Sequence, residues 1–458
     1  MVGSLRGRLV RQIARLATFG WFRSVERSGF EPVDRHGPLL VIANHDGGFV
    51  DPALLSAVFP RFPRFLAMAT LWRTPARPFL WLGGAIPVHR AVDGATTGNL
   101  GMFAECHRVL AGRGVVAVFP EGQANDEPHL LPVHTGAARI ALGARGSGAV
   151  GLSIVPVGLI YEDKAKARAR AYVRAGPPLD LDTWVEARGP KPDGAPTDDT
   201  DHAAVTALTE ELRVRLAAVA LDFRDAAELA ALNDAAEIAL RPIDADLRWN
   251  PPMATREDLA SALAAAPSEA VMAVRRAVER YTDTLEANAV TDEAVATDPR
   301  NHRRRHLTGL ALTAVMIPPA IAGVVVNLVP ALLTHVAGRR RSAPVTRATV
   351  KFLVALVVFP ATWVIWRYTA VADEGSPWLV ILVLGPLCGL ALSWVADRIR
   401  RGRRARLDLR ELAGVGTSLQ GLRERRAEVV AAVTAAVAGG PARTPQERPP
   451  GTPAKNAW

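Results

Sequence analysis

Leu39-Leu40-Val41-Ile42-Ala43-Asn44-His45-Asp46-Gly47-Gly48-Phe49-Val50-Asp51-Pro52 is the stretch whose reading decides the fold. An apolar run ends in a polar turn with two glycines, and a His and an Asp stand on either side of those glycines. A short apolar run bounded by turn residues predicts a buried strand. An Asp can fix the ring of a nearby His and favour its protonated form, which makes the His a usable general base. Taken alone, polar residues after a strand are ordinary turn chemistry. No Gly-x-Ser-x-Gly elbow and no candidate Cys stands nearby. A base here would therefore act on a hydroxyl that the protein does not supply.

Outward from this stretch, strand-like runs at 39–43, 64–69, 85–88, 115–119, 152–160 and 171–175 alternate with helix-like runs, including 53–59, 97–112 and 134–145. Alternation of this kind predicts an α/β unit with helices on a sheet. In open α/β sheets functional groups gather where strands end. His45, Arg90 and Glu121 stand at such ends.

Four blocks recur in order: Asn44-His45 to Asp51; Gly84-Ala85-Ile86-Pro87-Val88-His89-Arg90; Phe119-Pro120-Glu121-Gly122; and Ile154-Val155-Pro156-Val157-Gly158. Together they resemble the glycerolipid acyltransferase superfamily, the glycerol-3-phosphate and 1-acylglycerol-3-phosphate acyltransferases, over roughly residues 35–180. Between His45 and Asp51 lie five residues, Asp46 to Val50, one more than the commonest superfamily spacing. That longer form, followed by Asp-Pro, resembles the branch with the fungal glycerol-3-phosphate acyltransferases and related bacterial proteins. The stretch Asp126–Arg139 also resembles that branch, which usually has Lys where His134 stands; Gln123 departs from the usual small or hydroxyl residue.

The resemblance implies an α/β fold with an acyltransferase-type mixed sheet flanked by helices. It implies His45 as base and Asp51 as its orienting acid. It implies Arg90 on the acceptor's phosphate, since a guanidinium suits bidentate phosphate contact. Glu121 would accept hydrogen bonds from glycerol hydroxyls or hold Arg90, and Gly122 would let the backbone approach the ligand. Acyl-CoA or an acyl-carrier protein would serve as co-substrate, with no metal or tightly bound organic cofactor needed. A catalytically idle lipid sensor or scaffold on the same fold is the alternative. An intact His45/Asp51 pair argues against it.

The chain of 458 residues predicts two or three units. Residues 1–34 read as an amphipathic N-terminal helix, with Leu5, Leu9, Ile13, Leu16 and Phe19 at helical spacing. Such a helix suits either a membrane surface or ordinary packing. The catalytic domain is read over 35–185 and a helical appendage over 186–300, whose Val205, Leu208, Leu212, Leu216 and Val219 share a face. A membrane unit is read over 301–400. Leu307–Val336 carries no Asp, Glu, Lys or Arg, is broken by Pro318-Pro319 and is flanked by Arg303–Arg305 and Arg339–Arg341. Basic residues mark the cytoplasmic side, so these flanks predict a hairpin over 307–336. Spans over 352–372 and 377–396 follow, joined by an acidic turn at Asp373-Glu374. A basic helix and disordered tail close the chain at 401–458.

The net charge of +10 asks for an acidic partner. The Arg clusters abut apolar runs instead of interleaving with aromatics, which points to membrane lipids with anionic headgroups and away from nucleic acid. The expected place is a cell (inner) membrane, multi-pass, with the catalytic domain cytoplasmic. The two cysteines, Cys106 and Cys388, give no disulfide framework.

Overall fold

A computed structural model of the chain describes residues 5–89, 99–189, 197–221, 223–244, 249–297, 299–339, 343–370, 379–414, 418–439 and 455–456. The expected strands form; the runs at 39–43 and 115–118 are apolar and lose their water on both faces. The elements in order are α1 (Leu5–Trp21), β1 (Ser24–Ser28), β2 (Leu39–Ala43), α2 (Val50–Val58), β3 (Arg64–Met68), α3 (Arg77–Gly83), β4 (Ile86–Val88), α4 (Asn99–Ala111), β5 (Val115–Val118), α5 (Gly136–Gly146), β6 (Ser153–Tyr161), β7 (Arg170–Ala175), β8 (Leu179–Asp180), α6 (Leu181–Glu186) and α7 (His202–Ala217). Eight helices follow: α8 (Ala226–Leu240), α9 (Met253–Ala264), α10 (Ser268–Ala287), α11 (Asp292–Ala296), α12 (Pro299–Arg339), α13 (Pro344–Ala370), α14 (Leu379–Gly414) and α15 (Ser418–Gly439), then a two-residue β9 (Lys455–Asn456).

The chain divides into two compact units. The first is Met1–Asp222, Arg341–Leu353 and Arg443–Trp458. Its mixed sheet has the order β4-β3-β5-β2-β6-β7-β1-β9, with β8 paired to β6. From β4 to β6 all neighbours are parallel, and β7 turns back antiparallel on β6. Every residue of β2 and β5 is buried. Leu40, Ile42, Val116 and Val118 share one cluster with Leu110 of α4, Ile140 of α5 and Leu208 of α7.

Two expected boundaries move. The sheet begins at Ser24, inside the segment read as an N-terminal helix, because β1 pairs in parallel with β7 from Ser24↔Arg170 onward. The face of α7 that carries Val205, Leu208, Leu212 and Leu216 closes the catalytic core instead of an appendage. On α1 the buried positions are Gly7, Ala14, Thr18 and Trp21. Leu5, Leu9, Leu16 and Phe19 stay exposed on the opposite side, where a soluble packing helix would carry polar residues.

The second unit is Phe223–Arg340 and Val354–Ala442. The hairpin expected over 307–336 is not formed: α12 runs as one helix from Pro299 to Arg339 with Pro318, Pro319 and Pro330 inside it. Prolines cost a helix donors and local straightness, yet a neighbouring helix can hold the kinked segment together. Here α14 supplies that neighbour. Buried Asn327 donates to Gly385 O at 3.2 Å and accepts from Trp363 Nε1 of α13 at 2.9 Å. Two stretches, Leu312–Arg339 and Pro344–Tyr368, are long and apolar enough to cross a membrane. The third expected span falls on α14, and the acidic turn Asp373-Glu374 lies outside the described residues. The helix read as part of a basic tail packs as α15. Its buried Arg426 meets Asp292 at 2.9 Å and Ile238 O at 2.7 Å.

Candidate active site

Three parallel neighbours, β5, β2 and β6, end at one edge of the sheet and deliver Glu121, His45 and Tyr161 there. The turn after β2 leads into α2, whose first turn carries Asp51. His45 and Asp51 meet as expected: Nδ1 lies 2.7 Å from Asp51 Oδ2. Asp51 is fully buried, while the His45 side chain keeps 20% of its surface exposed. A ring whose Nδ1–H is held by a carboxylate presents Nε2 as its free lone pair. Among the described residues nothing hydrogen-bonds to that nitrogen. The ring stacks on Phe119 at 4.1 Å between centroids, which leaves it little room to rotate.

Asp51 collects further donors. Gly47 N–H reaches its oxygens at 3.0 and 2.8 Å, and the Tyr161 hydroxyl donates to Oδ1. Burial and the Asp51 charge hold the Tyr161 phenol well above its ordinary value, so it stays a donor. The sequence reading passed over Tyr161. It lies three residues past the fourth block, at the end of β6, the strand that pairs in parallel with β2.

Glu121 is buried, and its oxygens are engaged by the protein. It accepts from His45 N at 2.9 Å, Leu131 N at 3.0 Å and Asn125 Nδ2 at 2.9 Å. Burial raises its carboxyl above the usual range, against the opposing pull of the Leu131 and His45 amides. Glu121 therefore locks the backbone of His45 to the loop after β5, a job the sequence did not announce. Gly122 follows with φ at +71°, where a side chain would be strained, and a Cβ there would come within 3.3 Å of His134 Cδ2. His134 itself lies in the turn before α5, outside the helix expected from 134. Arg90 lies outside the described residues.

Asp46 was also passed over. Part of the residue reaches the surface, yet its carboxylate packs against protein and accepts from Asn44 Nδ2 at 2.8 Å. Burial pushes this carboxyl up to about 8, and the charge of Asp51 acts in the same direction. Asn44 pins the turn to β6 through Leu159 N at 2.7 Å and Leu159 O at 2.9 Å.

The arrangement holds an imidazole paired with a buried carboxylate, on a hydrogen-bonded loop at the mouth of a parallel sheet. The Acyltransferase family model matches residues 24–160. Glycerol-3-phosphate O-acyltransferase 2 of Saccharomyces cerevisiae is 41% identical over 71 residues, 15% of this chain and 10% of the yeast protein. Glycerol-3-phosphate O-acyltransferase 1 of the same yeast is 32% identical over 123 residues, 26% of this chain and 15% of its own length. The 1-acyl-sn-glycerol-3-phosphate acyltransferase alpha of Bos taurus is 28% identical over 183 residues, 38% of this chain and 58% of the bovine protein. The matches thus span a small part of the yeast relatives, and the residues covered by the family model include His45, Asp51 and Glu121. Residues 24–160 of this chain form an acyltransferase domain of the glycerolipid acyltransferase superfamily.

Proposed function

We propose that the chain is a membrane-bound enzyme that moves a fatty acyl group from acyl-CoA or an acyl-carrier protein to a hydroxyl of a glycerol-phosphate acceptor. The product would be lysophosphatidate from glycerol 3-phosphate, or phosphatidate from lysophosphatidate. The observation that carries the reading is the 2.7 Å His45–Asp51 pair, whose Nε2 makes no hydrogen bond among the described residues. Nε2 takes the acceptor's hydroxyl proton as that oxygen attacks the thioester carbonyl. The tetrahedral oxyanion then collapses, the carbon–sulfur bond breaks, and the imidazolium returns the proton to the thiolate. One ester forms and one thiol leaves. Arg90 holds the acceptor's phosphate in this scheme, and Gly122 leaves room for it.

The membrane reading draws on the two long apolar helices and on the exposed apolar stripe of α1, flanked by Arg8, Arg11 and Arg15. It extends to a multi-pass protein of the cell membrane with its catalytic domain on the cytoplasmic side. The test is transfer from labelled palmitoyl-CoA to glycerol 3-phosphate and to 1-acylglycerol 3-phosphate, offered separately. His45→Ala should lower kcat by ~10²–10⁴, and Asp51→Asn by less. A folded His45→Ala variant with full turnover would remove the base assignment.

A further inference from the structure

The geometry points to Thr349, in the first turns of α13, as a positioning residue for the His45–Asp51 spacer, so that a segment far downstream completes the catalytic unit. The inference rests on the reading of His45 and Asp51 as base and orienting acid. Residues Arg341–Leu353 cluster with the first unit, although some hundred residues of the second unit precede them in the chain.

One face of this short stretch makes the contacts. Val345, Ala348, Thr349 and Phe352 recur at helical spacing. Val345 N donates to Asp126 Oδ1 at 3.1 Å. Thr349 Oγ1 accepts from Phe49 N at 3.1 Å, across 300 residues of sequence. Phe352 sets its ring edge-on to Trp21 at 5.5 Å. Ala348 and Phe352 are buried. From the position before Phe352, Lys351 Nζ donates to Ala165 O at 3.1 Å. Three loops of the catalytic unit are thereby tied to one helix.

The tie to Phe49 bears most on the site. Phe49 is the last residue before α2, and its side chain supplies no cap to that helix. Among the described residues, the backbone–backbone bonds inside the opening turn are Val50 N to Gly47 O and Asp51 N to Gly48 O, both 3.3 Å, beside the bonds from Gly47 N to the Asp51 carboxylate. The two backbone–backbone bonds are long for amide bonds. The Thr349 hydroxyl is thus the anchor of the spacer from outside. The backbone passes directly beneath it at Gly48, whose φ of +63° and whose proximity to Thr349 Oγ1 leave no room for a Cβ. Tyr161 and Gly47 fix the Asp51 end, and Glu121 fixes the His45 end. Thr349 fixes the middle.

Two variants separate the hydroxyl from the bulk. Thr349→Val keeps the shape and removes the acceptor; Thr349→Ser keeps the acceptor. Both are made in the full chain, beside His45→Ala. Hydrogen–deuterium exchange is followed in the peptide over 44–52, and kcat and KM are measured with palmitoyl-CoA and each of the two glycerol-phosphate acceptors. Thr349→Val should speed exchange in the spacer and lower kcat roughly ten- to a hundredfold, with both KM values within about twofold. Thr349→Ser should restore both. Wild-type exchange in Thr349→Val overturns the inference, as does faster exchange with kcat unchanged. Failure of Thr349→Ser to rescue would do the same, since bulk and not the hydroxyl would then matter. The exchange readout needs no substrate. If His45→Ala keeps turnover, the base assignment falls. If His45→Ala is dead and Thr349→Val is fully active, only the role of Thr349 falls.

Discussion

Tyr161→Phe is the sharpest probe of how the base is held. The substitution removes one oxygen and nothing else, because the ring stays stacked on Phe22 at 5.8 Å between centroids. Asp51 has no exposed surface, so water cannot replace the lost donor. Its Oδ1 would keep only the 3.0 Å contact from Gly47 N, while Oδ2 keeps His45 at 2.7 Å and Gly47 at 2.8 Å. A hydrogen bond to a charged group is worth about 1.5–3 kcal/mol net, and that is the expected loss of folding stability. Catalysis should respond in a distinct way. A carboxylate with one donor fewer pulls harder on the Nδ1–H it retains and favours the imidazolium. The acid limb of the pH–rate profile should therefore move to higher pH, with acceptor and donor KM little changed. The assay is kcat across about pH 5–9, the range in which histidine titrates, together with thermal unfolding of the same preparations. A limb that moves to lower pH would refute the electrostatic argument. An unchanged limb with unchanged stability would mean that the phenol contributes nothing to Asp51.

Three further outcomes are expected. The Asp46 carboxyl is raised to about 8, so between ~pH 4 and that value the folded chain holds a proton the unfolded chain has released, and stability falls as pH rises through this window. Asp46→Asn keeps an oxygen for Asn44 Nδ2 and should flatten that slope in thermal melts; parallel curves for the two proteins would argue against it. Arg90→Ala should raise the KM of the acceptor more than that of the acyl donor, and steady-state kinetics with both substrates varied will read this; a change confined to the donor would place Arg90 at the carrier's phosphates. If α12 crosses a bilayer as one helix, single cysteines at 304 and 339, on a background free of Cys106 and Cys388, should react with impermeant thiol reagents from opposite sides. Labelling of both from one side would restore the hairpin.

Much of the catalytic unit is legible in the sequence because its central strands β2 and β5 are buried on both faces. Runs such as Leu39–Ala43 and Val115–Val118 have no polar alternation to confuse with a surface strand. The His45–Asp51 pair is legible for a related reason: both residues sit on one short turn, so spacing along the chain approximates spacing in the fold. Tyr161, Asn125 and Thr349 reach the site from other elements, and nothing local to them says so. β1 was missed because Ser24-Val25-Glu26-Arg27-Ser28 is mostly polar; its pairing with β7 holds it in the sheet. The hairpin at Pro318-Pro319 was a rule applied without its context. Proline weakens a helix by removing local hydrogen bonds, and the packing of α14 at Gly323 and Asn327 is invisible to a local rule.

The site also has to keep several acids from acting alike. Asp46, Asp51 and Glu121 lie close enough for their charges to be felt by one another. Three ionised carboxylates there would oppose the oxyanion and thiolate that the proposed transfer would generate. The fold separates them by environment, as active sites with neighbouring acids do. Burial raises the Asp46 carboxyl to about 8, which favours its protonated form at neutral pH. Glu121 is raised by burial, and three donors from His45, Leu131 and Asn125 occupy it, so it serves as a structural acceptor. Asp51 alone combines donors from Gly47 and Tyr161 with a direct line to the imidazole. The Asp51 carboxylate lies behind His45, on the Nδ1 side, where in the proposed transfer it would stabilise the imidazolium formed when Nε2 accepts a proton. On the Nε2 side, where the proposed transfer would develop its anionic intermediate, no described carboxylate hydrogen-bonds to the ring. This asymmetry explains why the five-residue spacer is held at its ends and its middle. A rotation of Asp51 toward the open side would bring its charge to the oxygen that has to become negative.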